Sequence, residues 1–302
     1  MAVQRLQRIA PRAGPSLYDQ LSSEALHHVY WRHELDRIER DHPELIVHRE
    51  GNIIAAQQPG EAKLVYAYAS EAAFVEHFPP MLEQLLPRLR RVLASDTVRF
   101  RLSHNPARPV VEPVLKKLWF TPSRRWLEFA IDRVPKPTAA TARGIRFRDA
   151  TEKDADEIAR LDLEAFPDTP EPASSIRARL TSGAIAGIVA LAGAEVVGFC
   201  TFAHTDPGEG YIHTLAVSST ARCGGVGGAL TQRVLKRLFA AGVRRVSLTT
   251  DDDNGTAIRL YGKLGFRQTR AGVDYERPTD PRAIRRIQQE HLGTLIKFGG
   301  WR

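Results

Sequence analysis

The sequence predicts an α/β (α+β) fold of two tandem domains, each with a mixed, mostly antiparallel central sheet flanked by helices, and a C-terminal helical tail. Three observations predict it. Short apolar runs typical of strands alternate with segments of 3.6-residue periodicity. The order β-α-α-β-β-β-α-β-α-β over residues 144–278 recurs in part before residue 133. A segment rich in Pro, Ala and Thr, residues 133–144, separates the two halves.

The composition limits the class of protein. Of 302 residues, 43% are hydrophobic and 26% are charged, which is typical of a globular protein. No apolar run approaches the roughly 20 residues of a membrane span, and no apolar stretch follows the basic residues near the N-terminus. We therefore expect neither a membrane span nor a signal peptide. Because Cys200 and Cys223 are the only cysteines, we expect no disulfide framework and a cytoplasmic location.

The charge pattern limits the partners. The net charge of +8 comes from scattered residues, with no run of five like charges. Such a pattern is typical of a solvated surface, so we do not expect a nucleic-acid partner. A smaller polyanion, such as a phosphorylated cofactor, fits the same balance. No HExxH or paired CxxC pattern occurs, and we predict no metal site. The sequence is compatible with a monomer or a homodimer.

The second half predicts ten elements. A strand over Gly144–Ala150 leads to a helix with Thr151 as N-cap and Asp154 three residues later, and Pro167 ends this helix. The elements that follow are, in order, a short helix near 174–180, strands at 185–193 and 195–204 joined by a turn at 193–194, a strand at 211–217, a helix at 230–242, a strand at 245–250, a short helix near 257–266 and a strand near 274–277.

The first half shows part of the same order. Leu118 and Phe120 correspond to Leu264 and Phe266 at a nearly constant offset, which predicts a duplicated domain. The predicted elements are a hairpin over 44–58 with a Gly-Asn turn at 51–52, a strand at 62–70, a long helix at 71–94, a strand at 97–105 and, after the segment 109–120, a strand at 124–131.

A glycine-rich stretch, ARCGGVGGAL (Ala221–Leu230), lies between a predicted strand and a predicted helix. It lacks the Gly-Lys-Ser/Thr ending of a P-loop. A dinucleotide fingerprint would need glycine at position 230, where leucine stands. The pattern R-x-x-G-x-G is matched by Arg222, Gly225 and Gly227. Such glycines let backbone N–H groups converge at the positive end of a helix dipole, which suits a pyrophosphate.

Two motifs in this order resemble the GNAT superfamily of acetyl-CoA-dependent N-acetyltransferases. LAVSSTARCGGVGGAL is similar to its pyrophosphate loop, and NGTAIRLYGKLGF is similar to its second cofactor motif. The resemblance covers residues 144–278 and implies acetyl-CoA as cosubstrate. Gly224 stands where family members often carry a cation. The resemblance implies cofactor contacts from Leu215, Ala216, Val217, Arg222, Cys223, Gly224, Gly225, Val226, Gly227, Gly228 and Asn254.

The resemblance also implies a reaction site. The strand 211–217 is expected to splay from the next strand and leave a V-shaped slot for the pantetheine arm. Backbone amides of this strand would polarise the thioester carbonyl. Tyr261 stands in the place of the family's general acid, which protonates the leaving thiolate.

For the base, His213 is similar in position to a histidine of arylalkylamine N-acetyltransferases that helps to deprotonate the amine. The period of two along a strand places Tyr211, His213 and Leu215 on one face. Glu209 and Asp251 stay open as alternative bases.

The GNAT resemblance assigns the segments and the function. Residues 1–138 are predicted to form a degenerate, non-catalytic GNAT-like domain, residues 139–278 the catalytic domain, and residues 279–302 a helical tail with Asp280 as N-cap. This tandem organisation is similar to that of mycothiol synthases. We expect an acyltransferase that moves acetyl from acetyl-CoA to a primary amine of a small molecule, by direct attack in a ternary complex. A non-catalytic acyl-CoA sensor and a protein or peptide N-acetyltransferase stay open as alternatives.

Overall fold

A computed structural model describes residues 26–28, 38–57, 62–93, 95–103, 108–135, 142, 144–168, 170–205, 208–222 and 224–298. These residues divide into two compact units. Unit 1 holds the described residues of 1–100, 109–120 and 277–302, and unit 2 holds those of 101–108 and 121–276.

The principal strands and helices alternate along the described chain. In order they are β1 (Leu26–His28), β2 (Ile46–Arg49), β3 (Asn52–Gln57), β4 (Ala62–Tyr68), α1 (Glu71–Leu93), β5 (Thr97–Ser103), α2 (Arg108–Lys117), β6 (Thr121–Ile131), β7 (Ile145–Asp149), α3 (Ala155–Ala165), α4 (Ala173–Ser182), β8 (Ala186–Ala192), β9 (Glu195–His204), β10 (Glu209–Val217), α5 (Val226–Ala240), β11 (Arg245–Asp251), α6 (Gly255–Lys263), β12 (Arg267–Pro278) and α7 (Pro281–Phe298).

Unit 1 has a mixed sheet. Strands β2, β3 and β4 pair antiparallel, and β4 pairs parallel with β5. The parallel pairing covers only Ala62–Leu64 with 98–100, and further along β4 the residues Tyr66–Tyr68 pair with β1 instead. Aromatic side chains of α1 pack into the core of unit 1, where the rings of Phe74 and Phe78 stack with their centroids 4.7 Å apart.

Unit 2 has a larger mixed, mostly antiparallel sheet in the order β12-β6-β11-β10-β9-β8-β7, in which β10 and β11 are parallel. One face packs against α5 and α6 through a core that includes Leu230, Val234 and Leu248. The other face packs against α3 and α4 through Ile158 and Ile176. The predicted fold class, mixed sheets with flanking helices, is confirmed.

Strand β6 lies between β11 and β12 and pairs antiparallel with both. Its residues precede the linker, yet they belong to unit 2. The sequence predicted instead that residues 1–138 form a domain of their own. The units differ from that prediction because the eleven residues of β6 pair with β11 on one side and with β12 on the other. The catalytic and non-catalytic assignments stay predictions.

Several predicted boundaries agree with the structure, and some differ. The Thr151–Asp154 capping box is present, and Asp280 Oδ1 accepts a hydrogen bond from the Arg282 N–H at 2.9 Å. Helix α5 begins at Val226 rather than at residue 230. The first hairpin turns at Glu50 and Gly51, with φ of 50° and 79°, rather than at 51–52. Asn52 instead begins β3, and its side chain donates to the Arg49 carbonyl at 3.1 Å. In the described part of the chain no helix is both long and apolar enough to cross a membrane.

Candidate functional site

Strands β10 and β11 pair along only part of their length. Parallel pairing joins Glu209–Ile212 to Arg245–Leu248, whereas β10 continues to Val217 and β11 to Asp251. On its other side β10 stays paired with β9 as far as Val217. The two strands therefore separate after Ile212 and leave an opening between them, as the GNAT resemblance implied.

A β-bulge lies at His213. Ile212 pairs with Phe202 of β9 and Thr214 pairs with Thr201, so that His213 is an extra residue on β10. Bulges redirect side chains and commonly lie next to functional sites. This bulge coincides with the point where β10 leaves β11.

The bulge shifts the alternation of side chains along β10 by one residue. The register with β9 places Tyr211 and Ala216 on the face that carries α3 and α4. It places Ile212, Leu215 and Val217 on the opposite face, where they pack with the core beneath α5. The prediction that Tyr211 and Leu215 share a face is therefore wrong.

Backbone groups of β10 face the opening. The N–H of Ser218 donates to the Val197 carbonyl of β9 at 2.9 Å. Because alternate residues of an antiparallel strand direct their N–H and C=O groups to the same side, Ala216 also faces β9, and Leu215 and Val217 face the opening. The Val217 carbonyl accepts a hydrogen bond from Arg222 Nε at 3.3 Å. Leu215, Ala216 and Val217 were predicted to contact the cofactor through their backbone. Of these, Leu215 and Val217 direct their N–H and C=O groups into the opening.

The glycine-rich turn leads into α5 beside this opening. Gly225 is the N-cap residue with a φ of 78°, a conformation that favours glycine. A methyl group placed on Gly227 would lie 3.7 Å from Val217 and 3.9 Å from Leu215, so the first turn of α5 contacts the end of β10. Val226, Gly227 and Gly228 lie in this first turn, where N–H groups have no partner within the helix.

The other residues of the predicted loop have different surroundings. Gly224 and Arg222 are exposed, and Arg222 lies within the electrostatic reach of Glu164 on α3. The Glu164 carboxylate accepts a hydrogen bond from the Ser219 N–H at 2.8 Å, which lowers the pKa of this carboxylate. Cys223, which was also predicted to contact the cofactor, lies outside the described residues.

Tyr261 lies on α6, in the core against which Leu215 and Val217 of β10 pack. Its side chain packs between Phe129 and Phe266, with ring centroids 6.2 Å and 5.6 Å away. Burial raises the pKa of Tyr261, and the neighbouring Cys200 and Tyr211 raise it further. The hydroxyl is therefore protonated at neutral pH and can act as a proton donor.

Asn254 begins the helix that carries Tyr261. Its side chain accepts a hydrogen bond from the Ala257 N–H at 3.1 Å, so it is the N-cap of α6. Asn254 therefore orders the start of this helix. Its predicted contact with a cofactor stays a prediction.

Tyr211 bridges the separating strands on the opposite face. Its hydroxyl donates to Thr249 Oγ1 of β11 at 3.0 Å, one residue past the last paired residue, Leu248. The ring of Tyr211 also contacts the ring of His213, with centroids 5.2 Å apart in an edge-to-face geometry.

His213 contacts a cation. Its Nδ1 lies 3.4 Å from Arg179 Nη2 on α4, and Arg179 is held by Glu171 at 2.9 Å. Because a guanidinium only donates hydrogen bonds, Nδ1 is the acceptor in this contact. That nitrogen can take a proton from an amine only after the contact with Arg179 breaks. The base role of His213 stays a prediction.

The two alternative bases lie at different places. Glu209 is at the beginning of β10 beside Arg245, and four residues of strand separate it from His213 by about 13 Å. The structure does not bring Glu209 to the opening. Asp251 lies at the end of β11 and forms an ion pair with Arg124 of β6. Both roles stay predictions.

Residues 153–266 match the model of the Acetyltransferase (GNAT) family. This segment is a GNAT domain. The chain is 32% identical over 131 residues to a mycothiol acetyltransferase of Actinosynnema mirum. This match covers 41% of this chain and 44% of the relative. It is also 34% identical over 167 residues to a mycothiol acetyltransferase of Salinispora arenicola, and this match covers 51% of this chain and 53% of the relative. The matches span about half the length of these curated relatives.

A solved structure has a similar fold beyond the GNAT domain. A tandem GNAT protein from the clavulanic acid biosynthesis pathway superposes with a TM-score of 0.54 and 16% sequence identity, covering 78% of this chain and 82% of that one. This likeness supports the tandem fold class.

The GNAT domain takes part of its site from outside the matched segment. Phe129, Glu128 and Arg124 lie on β6, before the linker, and the sequence motifs did not include them. The register of β6 with β11 places Trp126 and Phe129 on opposite faces of the sheet. Arg179 on α4 was also missed, because α4 carries no motif.

Proposed function

We propose that the protein transfers the acetyl group of acetyl-CoA to a primary amine of a small molecule, by direct attack in a ternary complex. The observation that carries this proposal is the separation of β10 from β11 beside the glycine-rich start of α5. An opening of this kind admits an extended chain between two strands, and the helix N-terminus next to it favours a negatively charged group.

The residues present fit coenzyme A. Its pyrophosphate would bind the N–H groups at the start of α5 with help from Arg222, as charge-assisted hydrogen bonds. Its pantetheine arm would pair with the backbone of Leu215 and Val217, which faces the opening. Tyr261 lies in the core against which Leu215 and Val217 pack, and it has a hydroxyl that stays protonated at neutral pH.

The chemistry follows from these positions. The lone pair of the neutral amine forms a C–N bond to the thioester carbon, and the C–S bond breaks with its electron pair on sulfur. The thiolate takes a proton from Tyr261. The new amide nitrogen loses one proton to a base or water, and the phenol regains one from solvent. We propose His213 as that base, with Asp251 as the alternative, because Glu209 lies at the paired beginning of β10, away from the opening.

The acceptor class is the open part of the proposal. Both relatives are named mycothiol acetyltransferases, so an aminothiol of the mycothiol type is the first acceptor to assay. Their identity to this chain covers about half of each protein, and the segments that would shape an acceptor pocket carry no motif.

Detection of the product by mass spectrometry tests the proposal. The protein is given acetyl-CoA and a panel of aminothiols, polyamines and arylalkylamines, alongside the Tyr261→Phe variant. We expect an acceptor to gain one acetyl group, and the rate to fall by about 100-fold in the variant.

The matched control is Tyr68→Phe. It removes a hydroxyl from the core of unit 1, where Tyr68 contacts Met81 Sδ at 3.8 Å, and it should leave the rate unchanged. Equal rates for wild type and Tyr261→Phe would remove Tyr261 as the acid. Binding of acetyl-CoA without product from any amine would favour a sensor.

A further inference from the structure

An open pocket lies in unit 2 where the end of β6 meets the beginnings of β11 and β12. Its volume is about 130 Å³. A single water molecule needs only about 10–15 Å³ of such space, so the pocket has room for a small polyatomic ligand. The residues that give the pocket its character are Arg133, Arg245 and Arg267, together with Asp132, Ala130 and Gly265.

The strand register places two of the arginines on one face of the sheet, on either side of β6. Arg267 of β12 pairs directly with Ala130. On the other side of β6, Val246 pairs with Ile131, and Arg245 precedes Val246 on β11. Because side chains alternate along a strand, both arginines and Ala130 lie on the face opposite to Ile131. The small, buried side chain of Ala130 therefore lies between two arginines from the flanking strands.

These arginines have no counter-charge in the described structure. Among the described residues, no carboxylate or other hydrogen-bond partner contacts the guanidinium of Arg133, Arg245 or Arg267. Asp132 is the one acid among the described residues that line the pocket. Three arginines and one aspartate leave a net charge of +2 around the pocket, and the like charges repel one another. A bound anion would remove this repulsion.

We propose that this pocket binds a small phosphate ester, with Arg245 and Arg267 holding the phosphate group from the two sides of β6. A phosphate monoester has a charge of about −1.5 to −2 at neutral pH, which matches the charge of the pocket, whereas a carboxylate has a single charge. A guanidinium group donates two parallel hydrogen bonds to phosphate oxygens in a fixed plane. Arg133 adds a third cation to the lining.

The pocket is distant from the glycine-rich turn. Arg245 pairs with Glu209 at the beginning of β10, and Glu209 does not line the pocket. The first turn of α5 instead contacts Val217, at the end of β10. Eight residues of strand separate Glu209 from Val217 by about 27 Å, so one phosphate group cannot bind at both places. The inference therefore does not rest on the proposed function.

Calorimetric titration with ribose 5-phosphate tests the inference, at a low ionic strength where screening is weak. We expect wild type to bind the sugar phosphate, and Arg245→Gln and Arg267→Gln each to raise the Kd about tenfold or more, as for a lost charge-assisted hydrogen bond. Arg146→Gln is the matched control, because Arg146 is an exposed arginine on β7 that donates to the Gly193 carbonyl. This variant should bind the sugar phosphate as wild type does.

Thermal denaturation gives a second measurement. Without ligand, Arg245→Gln should have a higher Tm than wild type, because one of three repelling cations is removed. Ribose 5-phosphate should raise the Tm of wild type and leave that of Arg245→Gln unchanged. Arg245→Lys keeps the charge but lacks the planar donors, so it should recover only part of the affinity. A lower Tm for Arg245→Gln without ligand would mean that this arginine stabilises the fold, and the inference would be wrong.

Several binding results would overturn the inference. Absence of binding to wild type would do so, as would an equal loss of affinity in Arg146→Gln, which would indicate an effect of overall charge. Equal affinity for ribonate, a carboxylate of the same chain length, would contradict the choice of phosphate. Tighter binding of a short single-stranded oligonucleotide, with the same dependence on Arg245 and Arg267, would indicate a nucleic-acid surface instead.

One further variant distinguishes this pocket from the proposed cofactor site. Gly225→Ala alters the start of α5 and should leave the Kd for ribose 5-phosphate unchanged. If Gly225→Ala weakens this binding and the arginine variants do not, the sugar phosphate binds at the glycine-rich turn and the inference is wrong. Neither result decides whether the protein transfers acetyl groups, so the proposed function is tested separately.

Discussion

The rings of Phe129 and Tyr261 lie 6.2 Å apart and are tilted by 45°. Phe129 belongs to β6, which precedes the linker, whereas Tyr261 belongs to the cofactor motif. The tyrosine proposed as the acid is thus held in place by a residue from the first half of the sequence.

Shortening Phe129 should therefore affect turnover. Phe129→Leu removes part of the surface on which Tyr261 rests, and we expect a stability loss of about 1–2 kcal/mol and a several-fold lower kcat. Chemical denaturation and steady-state kinetics measure both. Phe120→Leu in unit 1 is the control, with a similar stability loss and an unchanged kcat. Equal kcat values for the two variants would mean that Phe129 contributes packing alone.

The positive φ of Gly225 leads to a second prediction. Gly225→Ala forces an L side chain into a φ of 78° and should cost about 1 kcal/mol of stability. It should also weaken acetyl-CoA binding by roughly tenfold, because the N–H groups at the start of α5 lose their arrangement. Calorimetry measures the affinity. Gly242 has a φ of 90° and lies beyond the other end of α5. Gly242→Ala should lower the stability by a similar amount and leave the affinity for acetyl-CoA unchanged. Equal affinities in both variants would contradict cofactor binding at this turn.

The Thr151–Asp154 capping box, on the short 3-10 turn before α3, predicts a pH-dependent stability. Two hydrogen bonds from Arg148, at 2.7 and 2.8 Å, lower the pKa of Asp154, and bonds from Thr151 lower it further. A lowered folded-state pKa stabilises the fold above the unfolded value of about 3.9, and this contribution is lost as the pH falls through the folded pKa. Asp154→Asn should therefore cost about 1–2 kcal/mol at pH 7.

Urea unfolding at pH 7 and near pH 2 tests this prediction. The difference between wild type and Asp154→Asn should be full at pH 7 and should decrease as the pH falls below about 3.9 toward pH 2, because protonated Asp154 cannot accept both guanidinium bonds. Asp156→Asn, at an exposed ion pair with Arg177, should change stability by less than about 0.5 kcal/mol at either pH. A constant difference at both pH values would contradict the assignment.

The backbone of unit 1 predicts that one chain binds one acetyl-CoA. Strand β4 leaves β5 after Leu64, but there β1 pairs with Tyr66–Tyr68. The turn that follows holds Ala69 and Ser70, and the Ser70 hydroxyl accepts a hydrogen bond from the Ala73 N–H at 3.1 Å. A backbone ladder thus occupies the position where unit 2 leaves its strand open, and no glycine turn precedes α1. Calorimetric titration should saturate at one ligand per chain, and saturation at two would contradict this reading of unit 1.

Local signals allowed much of the fold to be predicted. A short apolar run predicted β9 at its observed bounds, and Asp154 three residues after Thr151 predicted the capping box. These signals depend only on residues that are neighbours in sequence, so residue propensity and spacing are sufficient to predict the two features. The start of α5 was placed too late because glycines lower helix propensity, although Gly227 and Gly228 lie in its first turn.

Long-range pairing explains what the sequence did not predict. The bulge at His213 depends on the register between β10 and β9, and a period of two assigns Leu215 to the wrong face. The contact of Arg179 with His213 depends on where α4 packs. The position of β6 between β11 and β12 depends on residues more than 100 positions apart, which no local pattern contains.

The place of β6 makes the duplication difficult to reverse. A gene that lost its first copy would also lose the strand between β11 and β12, and with it Phe129. The remaining copy would keep every cofactor motif and yet have a gap in the middle of its sheet. Selection on the GNAT domain therefore also preserves β6, although this strand precedes the linker and lies outside the residues that match the family.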